Sequence, residues 1–251
     1  MGFRAGYNAT TADTTVAIGK SAIGLGVLTG DHNIAIGNGA GTDLTSGASN
    51  VFVGYIAGGN VTTGADNTIL GPSAGFSITT GSSNTIIGHD AGYNATTANN
   101  TIAIGVTAIS SGVLTGTDNT AIGRLAGNNL TSGNNNNFIG YSAGLNATTA
   151  INTVAIGKQT IGAGVLTGTD NTAIGYRAGY DLTGGVSNVF VGYQAGSNAT
   201  TGNYNIGVGH AASNLGVLTG SDNIAIGRNT GDDLTSGVDN TLVGHLAGRN
   251  V

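Results

Sequence analysis

The sequence contains no cysteine, no tryptophan and no glutamate, and only one proline (Pro72) and one methionine (Met1). Without cysteine there is no disulfide framework and no thiolate metal site, and the redox compartment cannot be read. Without Glu, and with few Lys, Leu and Met, a chain of long globular helices is excluded. Collagen is excluded because glycine does not fall at every third residue and proline is missing. Charged residues make up 8% of the chain, with seven Lys and Arg against twelve Asp, for a net charge of −5. That leaves no basic footprint for nucleic acid. No run of about 18 apolar residues occurs, so no helical membrane insertion is expected. Repeat sequence follows directly on Met1, and no signal peptide is expected there.

Glycine is abundant, at 47 of 251 residues, and it is placed with order. A glycine follows a β-branched or Leu residue at 19, 37, 54, 71, 88, 105, 123, 140, 157, 175, 192, 209, 227 and 244, and Gly2 holds the same phase. Ten of the fourteen intervals are 17 residues and four are 18. The longer coils begin at Gly19, Gly105, Gly157 and Gly209, and each carries Val-Leu-Thr-Gly; the last three recur every 52 residues. No linker interrupts the pattern, so residues 1–251 read as a single repeat domain.

Aligned on this glycine, the columns are uniform. Four residues before it stands Asn in eleven coils, with Thr15, Thr101 and Thr153 in the other three. Ala follows three residues after it, except at Thr160 and Thr230, and one mid-coil Thr never varies, from Thr10 to Thr235. A short stretch such as Asn171-Thr172-Ala173-Ile174 favours a strand, and the glycine after it permits a corner with positive φ. One unit cannot bury its own apolar positions, whereas units stacked at about 4.8 Å can. Ranked Asn and Thr side chains then share hydrogen bonds along the axis. The expected fold is all-β: a parallel β-solenoid or β-roll of about fourteen coils, some 65–70 Å long at that spacing.

The two residues before each glycine are apolar, or glycine at Gly207, in every coil. Side chains alternate along a strand, so one column lines the interior and the other faces outward as an apolar stripe. Phe52, Ile69, Ile86, Phe138, Phe190 and Leu242 belong to one column and read either as core or as a subunit interface. The outward stripe suits packing against further copies of the chain, although a second internal layer or covering loops would also account for it.

Asn152-Thr153-Val154-Ala155-Ile156-Gly157 and Asn171-Thr172-Ala173-Ile174-Gly175 resemble the Asn-Ser-Val-Ala-Ile-Gly repeats of trimeric autotransporter adhesin heads. The unit Ile-Gly-Tyr-x-Ala-Gly, followed by a turn with Thr-Gly, also resembles glycine-rich repeats of phage and viral tail-fibre proteins. The resemblance runs over essentially the whole chain, with coils longer than the adhesin-head repeat. It implies a parallel, side-by-side homotrimer, an extracellular, cell-surface or virion location, and a role in attachment, with a cell-surface glycan or receptor as candidate partner.

No constellation points to an enzyme. Gly71-Pro72-Ser73-Ala74-Gly75 and Gly140-Tyr141-Ser142-Ala143-Gly144 match the nucleophile-elbow pattern, but Gly-x-x-Ala-Gly is the repeat itself. His32, His89, His210 and His245 lie in separate coils, so no metal or cofactor is expected. Aspartates cluster in turns, where they bond nearby backbone. Six Asn-x-Thr acceptors (Asn8, Asn60, Asn94, Asn129, Asn146 and Asn198) precede the invariant Thr, where an Asx-turn explains them as well as glycosylation does; Asn99 is a seventh. The position after the corner glycine carries Lys20, Tyr55, His89, Arg124, Tyr141, Lys158, Tyr176, Tyr193, His210, Arg228 and His245. These form a candidate surface-binding stripe, and they equally suit covering the edge or pairing between subunits. The leading expectation is a non-enzymatic fibre segment of a tail fibre or adhesin. The alternatives are a head-to-tail filament subunit and, below it, an ice- or glycan-binding solenoid.

Overall fold

A computed structural model describes residues 2–214 and 216–249. Contacts divide the chain into two compact units, Met1–Leu125 and Ala126–Val251, and the division falls inside the repeat without a linker. The first unit carries β1 (Val16–Ile18), β2 (Ile34–Ile36), β3 (Val51–Val53), β4 (Thr68–Leu70), β5 (Thr85–Ile87), β6 (Ile102–Ile104) and β7 (Thr120–Ile122). The second carries β8 (Asn137–Ile139), β9 (Val154–Ile156), β10 (Thr172–Ile174), β11 (Val189–Val191), β12 (Ile206–Val208), β13 (Ile224–Ile226) and β14 (Thr241–Val243). In each unit every strand pairs in parallel with the next, equivalent position on equivalent position, as in Ala35↔Phe52 and Phe190↔Gly207. Both units are parallel β-solenoids, and no described residue is helical.

The corner glycine is required twice over. At Gly37 the backbone has φ +143°, and a Cβ there would lie 2.2 Å from the carbonyl oxygen of Gly54 in the next coil. Stacking brings backbone onto backbone at this corner, which leaves no room for a side chain. Other corners are left-handed without glycine. The second residue after the corner has φ near +50° in coil after coil, as at Ser73, Gln159 and Ile56, and so does the residue before the Asn column, as at Asp66 and Asp170.

Of the two apolar columns, the strand centre faces inward. Phe52, Ile69, Ile86, Phe138 and Phe190 are fully or almost fully buried, and Leu242 is half-buried, so this stripe is core. Ala at the third position after the corner and the apolar residue before the invariant Thr complete the interior. Volume is exchanged between columns. Where the strand centre is large, the fourth residue after the corner is glycine: a Cβ on Gly196 would lie 2.3 Å from the Phe190 ring, and one on Gly58 2.8 Å from Phe52. Where the neighbouring strand centres are Ala, Ile23, Ile109 and Ile161 take that place, buried and at φ +45° to +47°. A left-handed β-branched residue costs roughly 1–2 kcal/mol, so filling the space beside Ala outweighs the strain.

The longer coils are not simple insertions. From corner glycine to invariant Thr they count ten residues against eight, and from that Thr to the next Asn four against five. The enlarged corner is held from the coil before it. Asn8, Asn94, Asn146 and Asn198, each in Asn-Ala-Thr, donate Nδ2 to the carbonyls of Leu25, Ser111, Gly162 with Ala163, and Asn214 respectively. Their amide Nδ2 groups thus reach along the axis to the next coil. A glycan on any of the four would have to displace this contact.

Asparagine forms the expected ladder. In the first unit Nδ2 of Asn50, Asn67 and Asn84 donates at 3.0–3.1 Å to Oδ1 of the Asn one coil earlier. In the second, Asn188, Asn205, Asn223 and Asn240 do the same. Each Oδ1 also accepts the backbone N–H of the next ladder residue, as at Asn67. The second amide hydrogen reaches a carbonyl across the coil, as from Asn50 to Gly64 at 2.9 Å. Buried amides are thereby satisfied where the backbone turns away from sheet pairing.

Candidate functional site

Two surfaces and one cavity bear on function. The first surface is the outward face of the strands. The residue just before each corner glycine is half-buried or exposed throughout, for example Ile139 and Ile174 at 37% and Ile18 at 47%. The first residue of each strand, such as Val154, Thr172 and Val189, points the same way. Neither column contains a charge. Seven strands with two such residues each expose an area on the order of several hundred Å², at or above the largest apolar patch of a typical monomer.

The second surface is the edge after the corner glycine. Lys20, Tyr55, His89, Arg124, Tyr141, Lys158, Tyr193, His210, Arg228 and His245 are exposed there, and Tyr176 is half-buried. In the second unit they touch from coil to coil. Tyr176 stacks on Tyr193 with ring centres 5.3 Å apart, and Tyr193 on His210 at 4.8 Å. The Lys158 ammonium lies 5.9 Å from the rings of both Tyr141 and Tyr176. Arg228 Nη2 stands 2.8 Å from His245 Nε2. Stacking spends ring faces on neighbouring rings, so the edge offers hydroxyls, ring nitrogens and cations rather than flat aromatic platforms. Arg177, at the second position, joins this edge: its guanidinium lies 4.7 Å from the Tyr180 ring and its Nε donates to Gln159. Sequence reasoning passed over Arg177, although its column, aligned on the glycine, would have placed it there.

The cavity, about 530 Å³ and open to solvent, is lined by Ser73, His89, Asp90, Tyr93, Asn94, Ser110 and Ser111. It gathers a Ser, a His and an Asp around one of the two elbow-like motifs. His89 Nδ1 meets Asp90 Oδ2 at 3.0 Å, but among the described residues no hydrogen bond joins Ser73 to the imidazole. The left-handed backbone of Ser73 is the repeat's own, shared by Ser21 and Gln194. A nucleophile requires its base within hydrogen-bond reach. Ser142, in the other motif, is buried.

The invariant threonines do not form a free hydroxyl array. Thr45, Thr62 and Thr131 donate Oγ1 to the carbonyl of the Thr one coil on, at 2.9–3.1 Å. Where the next coil is a long one, the acceptor shifts to Leu28 or Leu114.

Two carboxyls are perturbed by burial. Desolvation pushes Asp181 up, opposed by the Arg177 charge. Asp232 is buried, with Oδ1 unpartnered; desolvation raises its carboxyl above the ordinary range, Arg249 and His210 oppose this, and Asp233 adds to it. Asp170 is shifted the other way by hydrogen bonds from Thr169 and Asn152. A scan against protein-family models finds no match, and neither does a search of curated proteins.

Proposed function

We propose that the chain is a non-enzymatic structural fibre segment, of the kind found in viral tail fibres and surface adhesins, which works as a homo-oligomer of copies packed side by side. The observation that carries this reading is the outward sheet face, aliphatic or uncharged in every strand of both units. Its exposed area approaches one partner's share of a standard protein interface, about 800 Å². Made mostly of Ile, Val and Thr, it suits another β-surface better than a small ligand. The role is mechanical: each coil is held to the next by sheet, Asn and Thr ladders, so that load is spread over many parallel bonds. Three copies is the count implied by the likeness to adhesin heads, and an extracellular or virion setting follows from the same likeness.

Sedimentation of the purified full chain tests this. A mass of several chains, reduced to one chain by Ile156→Lys with Ile174→Lys while thermal unfolding stays cooperative, supports the reading. A single-chain mass overturns it. Electron microscopy of the same sample separates discrete particles from indefinite filaments, and filaments would replace the discrete segment with an end-to-end assembly.

A further inference from the structure

The few charges in this chain are sorted by position. Six of the seven Lys and Arg stand one or two residues after a corner glycine, and the seventh is Arg249. Seven of the twelve Asp stand one or two residues before the Asn-ladder column, on the other side of the strand. The edge where the strands end is therefore mainly basic, with Asp90 beside His89 its one carboxylate, and the edge where they begin is acidic, with no Lys or Arg. The two kinds of charge also recur at the same level. Lys20 lies level with Asp13 and Arg124 with Asp118 in the first unit, and Arg177 with Asp170 and Arg228 with Asp222 in the second. A strand, its ladder residue and its corner glycine separate the members of each pair, and Asp118, Asp222, Arg124 and Arg228 are exposed.

We infer that the edge after the corner glycine is a docking surface for the acidic edge of a second copy of this chain, which fixes neighbouring copies parallel and in axial register. The inference rests on the side-by-side packing proposed above and adds which edges meet and at what axial register. Copies that run the same way set an acidic edge against a basic one, whereas antiparallel copies set like against like, which costs affinity. Both edges belong to the same stack and so repeat with the same spacing. Five cations follow a strand: Lys20, Arg124, Lys158, Arg177 and Arg228. In register, four of them face a carboxylate level. Displacement by one coil leaves three in one direction and none in the other. The axial stacking of Tyr176, Tyr193 and His210 fits this role, because it stiffens the edge and leaves hydroxyls and nitrogens for a polar partner.

Because the native chain lacks cysteine, introduced thiols report proximity without background. Asp222→Cys with Arg228→Cys is oxidised as a mixture of isotope-labelled and unlabelled full-length chains, and the disulfides are identified by mass spectrometry. Asp118→Cys with Arg124→Cys serves as a second pair. Interchain 222–228 and 118–124 links as the dominant products are expected. An oligomer whose interchain links are chiefly 228–228 or 222–222, or in which neither pair links between chains, overturns the inference while leaving side-by-side packing standing. A single-chain mass for the native protein removes both.

Discussion

In the first unit the ladder from Asn33 to Asn84, and in the second the ladder from Asn171 to Asn240, make the same three kinds of bond at nearly the same lengths. The residues after the corner glycine differ sharply between the same two units. The first has Lys20, Asn38, Tyr55, Pro72, His89, Val106 and Arg124, and the second Tyr141, Lys158, Tyr176, Tyr193, His210, Arg228 and His245. Among the described residues, only the second set forms a ring-on-ring stack along this edge. In a stack, an interior residue has copies of itself as neighbours, so a change in one coil disturbs the bonds of two others. Within one chain, an edge residue has neighbours on fewer sides and can vary. Stability is therefore concentrated in the columns that do not change, and identity is written in the one that does.

Substitution of the interior tests this most severely. Gly196→Ala adds a Cβ 2.3 Å from the Phe190 ring at φ +57°, and Gly58→Ala one 2.8 Å from Phe52 at φ +58°. Overpacking and left-handed strain together should cost about 3 kcal/mol or more in each unit. Gly184→Ala, with ordinary φ and its nearest atom at 3.9 Å, should change stability by less than about 0.5 kcal/mol. Denaturant titration checks all three, and equal losses at Gly184 and Gly196 would dismiss the size exchange between columns.

The ladder comes next. Asn188→Ala removes the Nδ2 that donates to Asn171 Oδ1 and to the Gly202 carbonyl, and the Oδ1 that accepts from the Asn205 backbone N–H and Nδ2, leaving buried groups short of partners. The backbone N–H can still donate, so the expected loss is about 2–3 kcal/mol. Asn188→Thr should lose less, since Thr101 and Thr153 hold this column elsewhere and still donate their backbone N–H to the previous Asn. Tyr193→Ala on the edge should cost only about 1 kcal/mol, the scale of its stacking. A loss at Tyr193 as large as that at Asn188 would erase the distinction between interior and edge.

Much of the interior was legible because stacking turns a column of the alignment into a row of contacts. The period, the corner glycine, the Asn ladder and the Thr ladder all follow from that. Which apolar column faces inward was not legible from hydrophobicity, since both Ile156 and Phe138 are apolar. Size carries the answer: Ile stands four residues after the corner only where the coil's own and the next strand centre are both Ala, and Gly stands there wherever either centre is Phe, Ile or Leu. The left-handed backbone at Ile56 and Gln159 escaped because neither residue type announces it; neighbouring coils impose it. Alignment on a single glycine also hid the altered corner of the long coils, where two residues are gained before the Thr and one is lost after it. The edge contacts depend on which ring or cation occupies each level, so composition alone named the stripe without showing that it stacks.

A further effect, on the same scale as that at Tyr193, lies where the second unit departs from the first inside the fold. In the first unit, the coil after a long one has Thr42, whose hydroxyl donates to the Gly39 carbonyl at 2.6 Å. The corresponding coil of the second unit has buried Asp232, with one oxygen unpartnered. Its raised carboxyl means that the folded state holds this proton more tightly than the unfolded chain does. The group's favourable contribution is complete below the ordinary carboxyl range, about pH 3.9, and is lost as pH rises through the raised folded value. At neutral pH the native protein therefore carries a burial penalty that Asp232→Thr removes. The variant should be more stable by about 1 kcal/mol at pH 7, with the gain shrinking as acid protonates the native carboxyl. Thermal unfolding of both proteins from pH 3 to pH 8 measures this, and a gain that grows toward acid would mean that Asp232 is stabilised as its anion.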